Sequence, residues 1–224
     1  MKQTLIIVTI AHSCSNDITP LLLETLSEAQ LQRVSLLDGL PRSEIDEKYA
    51  PQGEEETLTV RLADGAQVQL AARRVAQDLQ QLICQLEKQG AENILLLGCG
   101  QLADLQAESA LLLDPDRLIP PLIKTMIEGS QAGIMVPADE PLRQQAVKWR
   151  NLSKPARFAV VTPSEDNEAL IDAGILLLEQ GAEVIVLDGA GYRPQQGELL
   201  QQLLGIPVLL AWRPLAEMAA ELLA

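Results

Sequence analysis

Residues 89–100 and 180–191 are two copies of one pattern, identical at eight of twelve aligned positions with no gap. Each copy reads as a helix closing on Gln-Gly, then an aliphatic strand, then a glycine loop, because Gly at the position after a helix adopts the left-handed conformation that ends it. A second echo relates 111–113 and the helix after it to 208–210 and the C-terminal helix. Any αβ unit uses a glycine stop and an aliphatic strand, which explains part of the identity; the shared order and spacing of both echoes argue for duplication. A duplicated strand-and-helix unit confines the chain to an α/β fold with parallel sheets.

The rest of the chain keeps the same rhythm. Residues 5–10 form a continuous apolar run, the pattern of a strand buried on both faces of a parallel sheet. Asp17 is placed to cap a helix reaching Glu28, and 33–37 returns as a second strand. Residues 57–62 and 67–70 flank Ala63-Asp64-Gly65-Ala66, a hairpin signal inserted into the alternation. Strands then follow at 93–97, 111–113, 133–136, 158–161, 183–187 and 208–210, with helices at 71–89, 115–128, 140–150, 167–180, 195–204 and 215–223. Pro120 and Pro121 disturb the first turns of one helix.

Composition narrows the function. Apolar residues make up 47% of the 224 but aromatic ones only 2%, so the core is aliphatic, as layered helices and sheets require. A formal net charge of −14 repels phosphate backbones and anionic membrane surfaces, so no nucleic acid and no membrane is expected as partner. A small anion is still admissible, because backbone N–H groups and helix N-termini make a pocket locally positive. Cys14, Cys84 and Cys99 have neither zinc-site spacing nor disulfide density, so reduced thiols, no metal, no cofactor and a cytoplasmic location are expected. The N-terminal apolar run is short, β-branched and without a cleavage site, and reads as a strand rather than a secretory leader.

A set of short motifs spans nearly the whole chain: Lys48-Tyr49-Ala50-Pro51, Arg73-Arg74-Val75 with Asp78-Leu79, Pro120-Pro121-Leu122, Val136-Pro137, Lys148-Trp149, Ile171-Asp172-Ala173-Gly174, and Val208-Leu209-Leu210 with Ala219-Ala220-Glu221-Leu222-Leu223. On these residues the chain resembles the AroM family, within the Asp/Glu/hydantoin racemase superfamily. The resemblance implies two pseudo-symmetric flavodoxin-like lobes, each with a four-stranded parallel sheet, facing one another across a cleft. Residues 1–115 with 206–224 would form the first lobe, the C-terminal strand returning to it, and 116–205 the second. It also implies a small carboxylate ligand, with a homodimer as the candidate assembly. Open parallel sheets bind ligands at the carboxyl ends of their strands, so the glycine loops are the place to look.

Racemases of this superfamily use two cysteines, one after the third strand of each half, as acid and base on opposite faces of one carbon. Cys99 holds the first position, between Gly98 and Gly100, while its repeat-mate is Ala190, or Gly189 if the loop shifts by one, and neither moves a proton. Symmetrical two-thiol racemisation is therefore not expected. Cys99 reads either as a small packed apolar residue or as a thiol exposed by its glycines and activated by neighbouring N–H groups. Cys84 reads as core.

The remaining candidates lie in loops. His12, the sole histidine, is a candidate acid or base, and Ser13 and Asn16 in the same loop are candidate carboxylate donors. Thr162 and Ser164 offer matching hydroxyls in the second half, Gly191 offers backbone, and Tyr192 with Arg193 offers closure over an anion. Asp188, ending an apolar strand, is either poised as a proton-carrying carboxyl or a loop cap. Two functions follow: an isomerase or lyase of small carboxylates using one cysteine, or a small-carboxylate-binding protein without catalysis.

Overall fold

The computed structural model describes residues 4–11, 18–62, 64–99, 102, 105–137, 142–163 and 167–223. His12, Ser13, Cys14, Asn16, Gly100 and Ser164 lie outside them. The chain forms two compact units, one from residues 4–11, 25–115 and 218–223, the other from 18–24 and 116–217.

The first unit is built on strands β1 (Leu5–Thr9), β2 (Leu31–Ser35), β5 (Asn93–Leu97) and β6 (Leu111–Leu113), all parallel, in the order β2-β1-β5-β6. The central pair is buried almost throughout, as its unbroken aliphatic runs require, while the outer strands are partly exposed. The short α1 (Thr19–Leu22), which belongs to the second unit, lies between β1 and β2 in the chain; helix α2 (Arg42–Tyr49) follows β2, and the antiparallel hairpin β3 (Thr57–Arg61) and β4 (Gln67–Ala71) follows α2. In the turn, Gly65 has φ +85° and the Asp64 Oδ1 accepts the Ala66 N–H at 2.9 Å, as the Asp-Gly signal predicts. Helix α3 (Ala72–Lys88) buries Val75, Leu79, Ile83 and Leu86 against this sheet and hairpin, an i, i+4 stripe worth roughly 1.5–3 kcal/mol for each fully buried side chain.

The second unit repeats the design. Helix α4 (Pro115–Met126) leads to β7 (Ala132–Val136), α5 (Leu142–Lys148), β8 (Arg157–Val160), α6 (Glu168–Glu179), β9 (Val184–Leu187), α7 (Pro194–Leu204), β10 (Val208–Leu210) and α8 (Arg213–Glu221). Its sheet is parallel, in the order β10-β9-β7-β8. Counted along each unit's own chain, both sheets run second, first, third, fourth. The fold is therefore α/β with two four-stranded parallel sheets, as expected from the sequence.

The repeat is visible at the level of single hydrogen bonds. At the end of α3, Gln89, Gly90 and Ala91 donate to the carbonyls of Gln85, Glu87 and Leu86 at 3.1, 2.9 and 3.0 Å. At the end of α6, Gln180, Gly181 and Ala182 donate to those of Leu176, Leu178 and Leu177 at 3.0, 2.9 and 3.0 Å. Gly90 and Gly181 are left-handed at φ +92° and +87°.

Three expectations are corrected. The domain boundary expected at 206 falls later: β10 pairs with β9, completing the second sheet, and only residues 218–223 join the first unit, where the Leu223 carbonyl accepts from Gln30 Nε2 at 3.4 Å. The helix expected from Asp17 to Glu28 is only the four residues of α1, because Ser27 breaks it: its N–H and hydroxyl both donate to Gln30 Oε1, at 3.1 and 2.9 Å, starting a separate 3-10 turn at 28–30. Cys84 is half-buried on the flank of α3 rather than in the core, since the helical phase turns Ile83 and Leu86 inward instead.

Candidate functional site

In the first unit, β5 delivers Gly98 and Cys99 at the carboxyl end of the sheet. Gly98 is exposed and left-handed at φ +67°, a conformation that turns the chain sharply inward. Cys99 consequently packs at 4% exposure within the aliphatic cluster that includes Leu96, Leu102 and Leu105. Its thiol donates to the Leu97 carbonyl at 3.4 Å, and its own carbonyl accepts the Leu102 N–H at 2.8 Å.

The second unit treats the equivalent loop differently. Asp188 continues β9, its N–H donating to the Met135 carbonyl at 2.9 Å, and its carboxylate is buried at 1% exposure. It is fully partnered: Oδ1 accepts from Lys148 Nζ at 2.9 Å, and Oδ2 accepts from Trp149 Nε1 at 2.7 Å and lies 2.9 Å from the same ammonium. Lys148, 14% exposed, also lies 3.8 Å from Asp116 on α4. The carboxylate that the sequence offers as proton carrier or loop cap is therefore one end of an ion pair binding β9 to α5. Lys148 and Trp149 are the residues that reading from sequence missed in this role. Their adjacency at the end of α5 was legible, but no spacing rule ties them to a residue 40 positions away.

Beyond Asp188, Gly189 has no positive φ; it is required for space, since a Cβ there would lie 2.8 Å from Pro137 Cγ and 3.2 Å from Tyr192 Cε2. Ala190, in the place of Cys99, is buried. Tyr192 is also buried, and its hydroxyl donates to the Val161 carbonyl at 2.6 Å, fastening the loop to the end of β8 beside the exposed Thr162. The loop ends at Arg193, whose N–H donates to Gln196 Oε1 at 3.0 Å as α7 begins, with Pro194 in its first turn.

Residues 190–195 line a depression of about 310 Å³ together with Pro20, Leu21 and Glu24 of the same unit. Arg193 and Glu24 are exposed on its rim, and the positive end of the α7 dipole adds to the Arg193 charge. The structure thus brings Gly191 and Tyr192 into one hollow with Arg193, keeps Asp188 behind the same loop as support, and places Gly98 and Cys99 in the other unit. Among the described residues no group of three or more His, Cys, Asp or Glu side chains converges as metal ligands would, and no helix is long and apolar enough to cross a membrane.

Several residues that carry the resemblance form a separate network in the first unit. Asp78 Oδ2 accepts from Tyr49 Oη and Lys48 Nζ, each at 2.8 Å, and Arg74 bonds Glu55 at 2.9 Å and the Lys48 carbonyl at 3.3 Å. Burial raises the Asp78 carboxyl, but the hydrogen bonds from Lys48 and Tyr49 outweigh it and hold the group below its usual range. The same hydrogen bond to Asp78 raises Lys48, and Tyr49 is raised first by burial and then by Asp78.

Solved structures similar to this chain share its fold. Allantoin racemase from Klebsiella pneumoniae is 14% identical with a TM-score of 0.56, the match covering 98% of this chain and 87% of that one. Arylmalonate decarboxylase is 14% identical with a TM-score of 0.54, covering 98% and 91%. An aspartate racemase homologue from Pyrococcus horikoshii OT3 is 13% identical with a TM-score of 0.53, covering 99% of both chains. No curated protein matches. The family model described as AroM protein matches residues 5–223.

Proposed function

The chain belongs to the AroM family, and from that premise we propose that it binds a small carboxylate in the hollow at the end of β9, on residues 191–193. The observation that carries this reading is the exposed Arg193 guanidinium at the start of α7, on the rim of the 310 Å³ depression. Arginine matches a carboxylate with two parallel N–H donors, and the helix start adds positive potential at the same point. Gly191 lets a ligand approach the main chain. Two of the structurally similar proteins are named for carboxylates, aspartate and arylmalonate. Titration calorimetry with isovalerate, malonate and aspartate tests the proposal. Arg193→Gln should weaken whichever of them binds by about tenfold, near 1.4 kcal/mol; equal affinity in wild type and variant would remove the site.

Catalysis by a single thiol is the second reading, favoured by the position of Cys99 at the carboxyl end of β5 directly after the left-handed Gly98. Its burial makes the requirement explicit: the sulfur must become accessible to meet a substrate. Pulsed alkylation of the folded protein with peptide mapping decides it. Modification of Cys99 at a rate comparable to that of the half-buried Cys84, slowed by a bound carboxylate, supports a working thiol, whereas reaction of Cys99 only on unfolding makes it a packing residue.

A further inference from the structure

Three exposed side chains on α3 belong to no function described above. Arg73, Gln77 and Gln81 stand at i, i+4 and i+8, and among the described residues none of them makes a hydrogen bond or an ion pair. They line a groove of about 730 Å³ in the first unit, together with Ala76, Asp78 and the buried Leu105. The Asp78 charge is already held by Lys48 and Tyr49, both on Oδ2. Arg73 is therefore the uncompensated charge of the groove, and the two glutamines are its open amides.

The same helix shows what a glutamine can do here. Gln80 Nε2 donates to the Gln106 carbonyl at 2.7 Å, and Gln80 Oε1 accepts the Gln106 N–H at 2.9 Å. One side-chain amide thus holds both main-chain groups of one residue, as a neighbouring strand would. Gln77 and Gln81 carry the same amide with no partner. They are about 6 Å apart along the helix axis, close to the roughly 6.7 Å between alternate residues of an extended chain. Alternate residues of such a chain turn their N–H and C=O groups the same way, so the two glutamines can hold two sites on one strand. We infer that this ridge docks an extended peptide segment of a partner protein, its main chain on Gln77 and Gln81 and an acidic side chain on Arg73. Charge decides the last point, since a guanidinium pairs with a carboxylate through two parallel N–H donors. Main-chain bonds supply affinity and the charged contact supplies selectivity, as in other recognition of extended peptides.

Titration of the isotope-labelled full chain with the blocked hexapeptide Val-Thr-Glu-Val-Thr-Val, followed by NMR, tests this. The side-chain amide signals of Gln77 and Gln81 and the guanidinium signal of Arg73 should move together and saturate. A control peptide with Gln in place of Glu, and one N-methylated along its main chain, should each bind at least about fivefold more weakly. The double variant Gln77→Ala, Gln81→Ala should weaken the acidic peptide by about tenfold, and Arg73→Gln should erase its advantage over the Gln control. Alanine is the best helix former and these side chains hold nothing, so unchanged thermal midpoints serve as the folding control. Equal binding of either control peptide, or no movement of the three signals up to about 10 mM peptide, would overturn the inference. So would movement of the same signals when the protein alone is concentrated, which would make the occupant a second copy of this chain.

Discussion

At the scale of single residues, the paired glycines show how one sequence pattern meets two physical demands. Gly98 is required for its backbone angle, with nothing within 4 Å of an added Cβ, whereas Gly189 is required for space against Pro137 and Tyr192. Substitutions should separate these. Gly98→Ala should lower stability by roughly 1–2 kcal/mol, and Gly98→Asn by less, because asparagine tolerates the left-handed region. At Gly189 both replacements should be severe, with Asn the worse for its size; urea midpoints of the four variants check the ordering. The glycines themselves were legible in the sequence, but which demand each meets was not, because φ and packing depend on Pro137, Leu97 and other residues brought in by the fold. The same holds for Asp188. An apolar strand ending in Asp announces a carboxylate that must be paired, yet its partners come from a different helix.

At the scale of elements, periodicity did most of the work, since unbroken aliphatic runs mark doubly buried parallel strands and Gln-Gly marks a helix end. Two departures have different causes: Ser27-Glu28-Ala29-Gln30 is a local capping signal that apolar periodicity masks, whereas nothing local says to which sheet β10 belongs. Polar contacts between elements also carry predictions. Lys148→Met should destabilise the second unit by about 3–5 kcal/mol by stranding the buried Asp188, and a compensating Asp188→Leu in the same chain should restore much of the loss. Chemical denaturation of the two single variants and the double variant measures this. The Asp78 network binding α2 to α3 has a pH signature. Because the Asp78 carboxyl is lowered from 3.8, its contribution is complete above that value and is lost as pH falls through the folded value. Lys48 and Tyr49 are raised from 10.5 and 10.0, so their contributions hold below those values and fade as pH rises through the folded ones. The Lys48 side chain is 56% exposed and screened, which leaves the Tyr49 hydrogen bond as the larger part. Asp78→Asn should therefore cost roughly 1–3 kcal/mol near neutral pH, and the gap from wild type should narrow as pH falls below 3.8 and through the folded Asp78 value. Urea midpoints across a pH series would show a constant gap there instead if Asp78 is not lowered.

At the scale of the whole molecule, the net charge of −14 sets what can approach it. Salt-sensitive binding of DNA or RNA in a shift assay at physiological ionic strength is not expected, since no phosphate would be drawn to such a surface. A small carboxylate must overcome the same field, which is why a guanidinium and a helix start concentrated in one hollow are needed to hold it. That hollow is the central claim, and amide chemical shifts during a carboxylate titration test it most directly. The account predicts that, as isovalerate is added, the largest shifts fall on Gly191, Tyr192, Arg193 and Gln195, with smaller ones on Leu21 and Glu24, and that Arg193→Gln moves their midpoint to about tenfold higher isovalerate. Shifts confined to the Gly98 and Cys99 amides, or none at saturating isovalerate, would contradict it.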